Sequence, residues 1–446
     1  MLSDSTKIYY KSYFINILFS FIPISFIAGN LILNSNIFLL LVSSIIFYGK
    51  DIFKIDFTFL DKFILFFFAF TLYTGAFNSI SNYSFGDSSE NFMIISKTLL
   101  YLRFLILYFV IKYLVKKNII NFKIFFLSST ACVIFVSLDL IYQYLFGKDI
   151  FGFQGNPRRL SGPFGDEQIA GSFLQRFSIF SFFLFPIFLK IKNLKILYLI
   201  FFLLLSLFFI SMIMAGNRMP LLLFLLIISL TFFLEIKKKK YFFIFLFIIF
   251  LNFLALYLIS FKTDRSIYRH FGSFYLQLTQ FKYVFVPSLF VPKKDKDPST
   301  PRPDDYVSYP STYIKEFNSG YVTWLHHKYI GGGIKSFKKT CNATGFLNCP
   351  PHPHNYYLEI LSGLGLFGFL LLSIIFLKIL YTFFIKKYLI QSSLSRDRLA
   401  MPFIILFIAE IFPFKSSGSF FTTGNATYFF LILALTVALS ERNKLN

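Results

Sequence analysis

Apolar runs of roughly 17 to 25 residues, each bounded by charge, recur along the whole chain, and a run of that length is what a helix needs to cross a bilayer. Read this way the sequence predicts about twelve spanning helices, at 13–29, 32–48, 59–77, 92–112, 122–146, 168–189, 196–215, 219–235, 241–261, 355–385, 397–413 and 424–439. Of the 446 residues, 56% are hydrophobic and only 15% charged, with 69 Phe. No soluble globular domain needs that much apolar surface, so most of it must face lipid. The first run is not a cleavable signal, because Asn30 and Leu31 follow it without a small-x-small site and further spans come after.

The distribution of basic residues tests this reading. With the N-terminus in the cytoplasm, alternate connections carry Lys50 and Lys54; Lys112, Lys116 and Lys117; Lys190, Lys192 and Lys195; Lys237 to Lys240; Lys386, Lys387, Arg396 and Arg398; and lastly Arg442 and Lys444. The opposite connections are short and poor in lysine, apart from one long loop. The expected fold is therefore an all-α polytopic membrane protein with both ends cytoplasmic: nine helices over 1–261, a large outer loop over 262–353, and three helices over 354–446. The net charge of +23 does not point to nucleic acid, since much of it is membrane anchoring and no soluble basic domain is present to hold a polynucleotide.

The loop holds ten Lys and three Arg against five Asp and one Glu. Its face does not require positive charge for topology, so two readings stand: contact with anionic lipid headgroups, and an anionic ligand. Segment 291–312 mixes proline and charge too densely for a regular element. Segment 316–337 is expected to hold a short amphipathic helix with Tyr321, Trp324 and Leu325 on its apolar face, ended by Gly331 to Gly333. That triplet lacks the spacing of a nucleotide-binding loop. Cys341 and Cys349 lie outside the spans, where an oxidising compartment would let them pair, while Cys132 falls in the fifth span as packing. Their spacing to His352 and His354 fits no strong zinc pattern, and no metal is expected.

Three arginines fall on the outer face without a topological reason: Arg158 and Arg159 between the fifth and sixth spans, and Arg218 between the seventh and eighth. A guanidinium is a planar five-donor fork that keeps its proton, which suits a diphosphate held at the membrane surface; a membrane anchor is the competing use. Histidine is the side chain suited to exchange a proton near neutral pH, and His354 stands at the start of the tenth span, where it would orient an acceptor hydroxyl and take its proton; a packed or hydrogen-bonded helix-start residue is the alternative. Asp166 is a supporting candidate against charge balance, and Lys335 and Lys415 are candidate anion contacts against solvated charges. The glycines at 363, 365 and 368 are expected to permit close helix packing.

His354 and Asn355, nine residues, then Gly365-Leu366-Phe367-Gly368 make a pattern similar to the signature of the O-antigen ligase and polymerase superfamily of bacterial membrane glycosyltransferases, and closest to its ligase branch. Phe369 stands where that pattern often has Thr. The "AGNR" turn ending at Arg218, the segment "RLSGPFGDEQIAGSF" from Arg159 and the late "FPFKSSGSFF" at 412–421 extend the resemblance over nearly the whole chain.

The resemblance implies inverting, metal-independent and cofactor-free transfer of a glycan from undecaprenyl diphosphate, in the bacterial inner membrane with the site facing the periplasm. For a ligase the acceptor is lipid A-core oligosaccharide; for a polymerase it is another lipid-linked repeat. It assigns His354 to the acceptor hydroxyl, with Asn355 beside it. It assigns Arg218 and one of Arg158 and Arg159 to the donor diphosphate, with Arg265 or Arg269 as a further arginine from the start of the loop. A lipid-linked glycan transporter is the reading from another class. The expected rarity of intramembrane charges beyond Arg103, Asp139 and Glu410, and of broken helices, weighs against it.

Overall fold

The computed structural model describes residues 4–54, 57–81, 88–156, 159–235, scattered positions between 243 and 254, 312–344, 349–384, 398–416 and 418–442. Helices α1 (Asp4–Ser20), α2 (Ile22–Ile27), α3 (Asn30–Tyr48), α4 (Phe59–Ser81), α5 (Ser88–Tyr101), α6 (Arg103–Lys116) and α7 (Phe122–Phe146) form the first part of the bundle. After an irregular connection come α8 (Ala170–Leu184), α9 (Leu194–Met214) and α10 (Arg218–Glu235). The later elements are α11 (Thr312–His326), α12 (Phe337–Ala343), α13 (Tyr356–Leu380), α14 (Met401–Glu410) and α15 (Thr423–Arg442). The only β pairing among the described residues is a set of isolated bridges.

Among the described residues nine helices are long and apolar enough to cross a membrane, which makes this an all-α polytopic membrane protein. They match the expected runs one to seven, ten and twelve. The eighth and eleventh are shorter apolar helices, Arg218–Leu234 and Met401–Glu410, the latter ending just before Pro413, whose ring disfavours helix in the residue that precedes it. The expected ninth run, 241–261, lies almost wholly outside the described residues, as do residues 262–311 of the expected loop.

Helix α15 runs through the middle of the bundle: residues 426–439 are all buried, as expected of a helix that is apolar all round. It packs chiefly on α6, with Phe430 stacked on Phe104 at 5.8 Å between ring centroids and edge-on to Tyr101 at 5.9 Å. Lipid is as apolar as these side chains, so ring packing rather than water exclusion has to hold such a contact.

The tenth span is not the continuous helix expected. Gly365 has φ 66° and ψ −169° and breaks α13 one third of the way along. The turn after α11 docks on the break by backbone hydrogen bonds: Gly332 N donates to Ser362 O at 2.9 Å, Gly333 N to Gly363 O at 2.8 Å, and Leu366 N to Lys328 O at 2.8 Å. A Cβ on Gly365 would sit 2.2 Å from Tyr329 O, and one on Gly331 2.4 Å from the Gly363 carbonyl carbon. Gly363 and Gly365 thus admit a backbone segment rather than the neighbouring helix expected, while a Cβ on Gly368 would first meet the Leu364 side chain of its own helix.

Helix α11 also differs from the expectation. It ends at His326, before the glycine triplet, and buries Ile314 and Phe317 against Leu358 of α13 with Tyr321 packed on them, while Leu325 is exposed. The face is set by Gly320, where a Cβ would lie 2.7 Å from Pro353 Cβ. Cys341 and Cys349 are disulfide-bonded with Cα atoms 6.1 Å apart, and Phe337 packs over them.

Candidate functional site

A cavity of about 620 Å³ opens at one end of the bundle, where α3, α6, α8, α10 and α15 all begin. Five cations line it, Lys97, Arg103, Arg176, Lys335 and Lys415, against one carboxylate, Glu167. Aromatic rings including Tyr101, Phe104, Phe173 and Phe177 make up much of the remaining wall, which keeps the local dielectric low and strengthens the field of those cations.

Arg176 and Lys415 are the buried ones among them. Arg176 stands two turns into α8, and a buried arginine there is tolerated only with partners. Its Nη2 donates to Asn425 Oδ1 at 2.8 Å, Glu410 Oε1 at 3.1 Å and Tyr356 OH at 3.4 Å, and its guanidinium lies 4.5 Å from the Tyr428 ring centroid. Its Nε is buried without a hydrogen-bond partner among the described residues. Lys415 Nζ lies 2.7 Å from the same Glu410 oxygen and 4.9 Å over the Tyr356 ring. Burial pushes the Lys415 ammonium down to about 8, against the opposing pull of Glu410. Two cations therefore share one carboxylate, and the group keeps a net positive charge.

Arg103 begins α6 and donates to Thr423 Oγ1 at 2.9 Å, a hydroxyl and not a carboxylate. Lys335 occupies a left-handed conformation, φ 67°, just past the glycine triplet, with Nζ 3.4 Å from Ser419 Oγ. Glu359 behind it accepts from Ser419 Oγ and from Phe420 N, each at 2.5 Å. The turn 412–421 is thereby pinned to α13.

Asn355 is the N-cap of α13, its Oδ1 accepting from Tyr357 N at 3.0 Å and Leu358 N at 3.1 Å. Its Nδ2 donates to Pro413 O at 2.9 Å and Lys415 O at 3.3 Å. The whole amide is engaged with backbone, so Asn355 builds the wall that carries Lys415. His354, one residue earlier, is not on the cavity wall; it has φ 53°, and its Nε2 lies 3.7 Å from Glu316 Oε1 of α11.

The other residues singled out from the sequence scatter more widely. Arg218 opens α10 next to Met219 and Pro220, which line the cavity, but is not itself on the wall. Its turn is fastened to α8 through Asn217, which accepts from Gly171 N at 3.2 Å and donates to Gln168 O at 3.1 Å. Arg159 is half-buried in a turn closed onto Asn156 O at 2.9 Å, away from the cavity lining. Asp166 is exposed, and its neighbour Glu167 reaches the cavity instead. Arg158, Arg265 and Arg269 lie outside the described residues. Among the described residues no three of His, Cys, Asp and Glu gather as a metal site. Arg176 and Lys97 were missed in the sequence, although a lone arginine inside an apolar run is itself a signal of a buried polar site.

Helices that cross a membrane and close at one end around a cation-lined cavity define the class: a polytopic membrane protein with a polar site at the bundle end. Residues 200–373 match the family model described as O-antigen ligase, so the chain carries a domain of that family. The matched stretch takes in Arg218, Lys335, His354, Asn355 and the break at Gly365. At the level of the family this supports an enzymatic, glycosyltransferase-like function. Comparison with curated proteins gives no match.

Proposed function

We propose that the protein transfers a glycan from undecaprenyl diphosphate to lipid A-core oligosaccharide, by inverting attack of an acceptor hydroxyl on the anomeric carbon. The observation that carries this reading is the excess of cations on the cavity wall, five against one carboxylate, with a buried Arg176 Nε left over as a donor. A diphosphate leaving group gains negative charge as the glycosidic bond breaks. Fixed cations in an apolar setting favour that state over the ground state.

In this reading Arg103, Arg176, Lys335 and Lys415 hold the diphosphate, Arg218 supports it from the rim, and His354 accepts the proton of the attacking hydroxyl. No second acid is needed, because a diphosphate leaves readily without protonation. The arrangement of basic connections supports twelve spans with both termini in the cytoplasm and the cavity opening to the periplasm, in the inner membrane of a bacterium. Residues 262–353 would then supply the outer loop through which the acceptor arrives.

The test is transfer in reconstituted membranes with undecaprenyl-diphosphate glycan as donor, comparing wild type with His354→Ala and offering lipid A-core or lipid-linked repeat as acceptor. Transfer to lipid A-core that is lost in His354→Ala is the expected result. Extension of the lipid-linked repeat instead identifies a polymerase, and full activity in His354→Ala removes the proposed base.

A further inference from the structure

Off the cavity wall lies a second cluster of titratable side chains, Glu316, His352 and His354. Glu316 lies on α11, whose Ile314 and Phe317 are pressed onto Leu358 at the start of α13. Gly320, one turn further along, permits that approach to Pro353 and Leu358. The carboxylate therefore has a defined position. Its Oε1 is 3.7 Å from His354 Nε2, an ion-pair separation longer than a hydrogen bond. Its Oε2 is buried and has no hydrogen-bond partner among the described residues.

His352 stacks on His354 with ring centroids 4.3 Å apart. Burial, then His354 and Lys335, push His352 down to about 4, so it is neutral at physiological pH and does not compete for Glu316 as a cation. The charged groups facing Glu316 are thus His354 from the segment before α13, with His352 behind it. Burial lifts the Glu316 carboxyl to about 7.

We propose that Glu316 is the positioning residue of His354, engaging Nε2 so that Nδ1 is turned to the acceptor, and stabilising the imidazolium formed in the transfer. The proposal rests on the reading of His354 as the base. The balance is closed. The acceptor O–H bond breaks and its proton goes to His354 Nδ1. The hydroxyl oxygen forms the new bond to the anomeric carbon, and the old anomeric C–O bond breaks with its electron pair leaving on the diphosphate. Glu316 offsets the charge on the ring and takes no part in bond making.

The experiment reads His354 directly in the full-length protein in lipid vesicles. Diethyl pyrocarbonate acylates only neutral imidazole, so its rate at His354, resolved by peptide mass spectrometry against pH, gives the midpoint of ring protonation. In Glu316→Gln that midpoint is expected to fall by about one pH unit, the size of effect of removing one opposite charge at this distance. Transfer from undecaprenyl-diphosphate glycan should fall about tenfold in kcat with KM for donor unchanged, and Glu316→Asp should recover part of both effects.

An unchanged midpoint in both variants overturns the proposal, as does a lost kcat that Glu316→Asp leaves unrecovered while the midpoint stays in place. If Glu316→Gln does not fold, the midpoint and kcat of Glu316→Asp, whose carboxylate is drawn back by one methylene, decide it. Transfer that survives in His354→Ala overturns the parent reading instead, because it leaves nothing for Glu316 to position.

Discussion

Lys112 and Lys415 are both buried lysines, at opposite ends of the bundle, and they are partnered in opposite ways. Lys112 Nζ lies 2.5 Å from Asp61 Oδ2 and 3.0 Å from Glu441 Oε2, and Lys116 joins Glu441 at 3.0 Å. Tyr108 OH and Thr58 N donate to Asp61, each at 2.7 Å. Two ammonium groups meet two carboxylates, and the cluster ties α4, α6 and α15 together. At the other end Arg176 and Lys415 share, among the described residues, the single carboxylate of Glu410, and both open on the cavity. A charge-balanced buried cluster needs nothing further, whereas an unbalanced one beside a cavity has room and charge for an anion. The first is a clasp and the second a candidate binding site.

The sharpest way to break this contrast is to remove one charge at each end. Lys112→Met leaves Asp61 and Glu441 buried without their common partner, and should cost about 3–5 kcal/mol, the range for breaking a buried pair. Thermal unfolding in detergent measures it, and transfer per folded molecule should be unchanged. A loss of donor affinity in Lys112→Met would erase the distinction between the two clusters.

Arg176→Gln is the counterpart. It removes a buried cation of the cavity wall and should lower transfer about 10²-fold, the scale for one donor aimed at developing charge. Glu410 keeps Lys415 as its partner, so the melting temperature should move less than in Lys112→Met. A large stability loss with an unaltered rate would make Arg176 another clasp.

Much of the outline of this molecule can be read from the chain, and the site much less so. Spans are legible because length and hydropathy are local properties, whereas Asn355, expected as a substrate contact, is instead the N-cap of α13, bonded to 357 and 358. Arg176 is hidden because its partners Glu410 and Asn425 lie 234 and 249 residues further on. The break at Gly365 is hidden for the same reason, since the backbone it admits belongs to residues 328–333. Glu316 is one carboxylate in a basic segment, and nothing local marks it as half-buried against His354. Arg218, by contrast, stands out in the sequence yet lies beside the cavity wall rather than on it.

Gly365→Ala probes whether the cavity end depends on its docked backbone. An alanine Cβ there meets Tyr329 O and must also adopt a positive φ, which together should cost roughly 2 kcal/mol or more. The turn carrying Ile334 and Lys335 would shift, so donor KM should rise together with the loss of stability. Gly49→Ala is a control, since it shares a positive φ of 50° but a Cβ there meets nothing within 4 Å. Equal effects in the two variants would show that strain alone matters.

The smallest effect expected is also the one that separates binding from folding most cleanly. The Lys415 ammonium is held at about 8, below its ordinary value of 10.5. Above pH 8 it loses its proton in the folded protein while the unfolded chain keeps it. The unfolded state then binds more protons, so the Lys415 contribution makes stability rise with pH between about 8 and 10.5. Donor affinity should move the other way, because the cavity loses one of its cations: KM is expected to rise severalfold by about one pH unit above the midpoint. Lys415→Arg keeps its charge over that whole range and should flatten both trends. If KM stays level while stability rises, Lys415 is a buried lysine that senses pH without touching the anion, and the cavity end resembles the Lys112 end more closely than its charge count suggests.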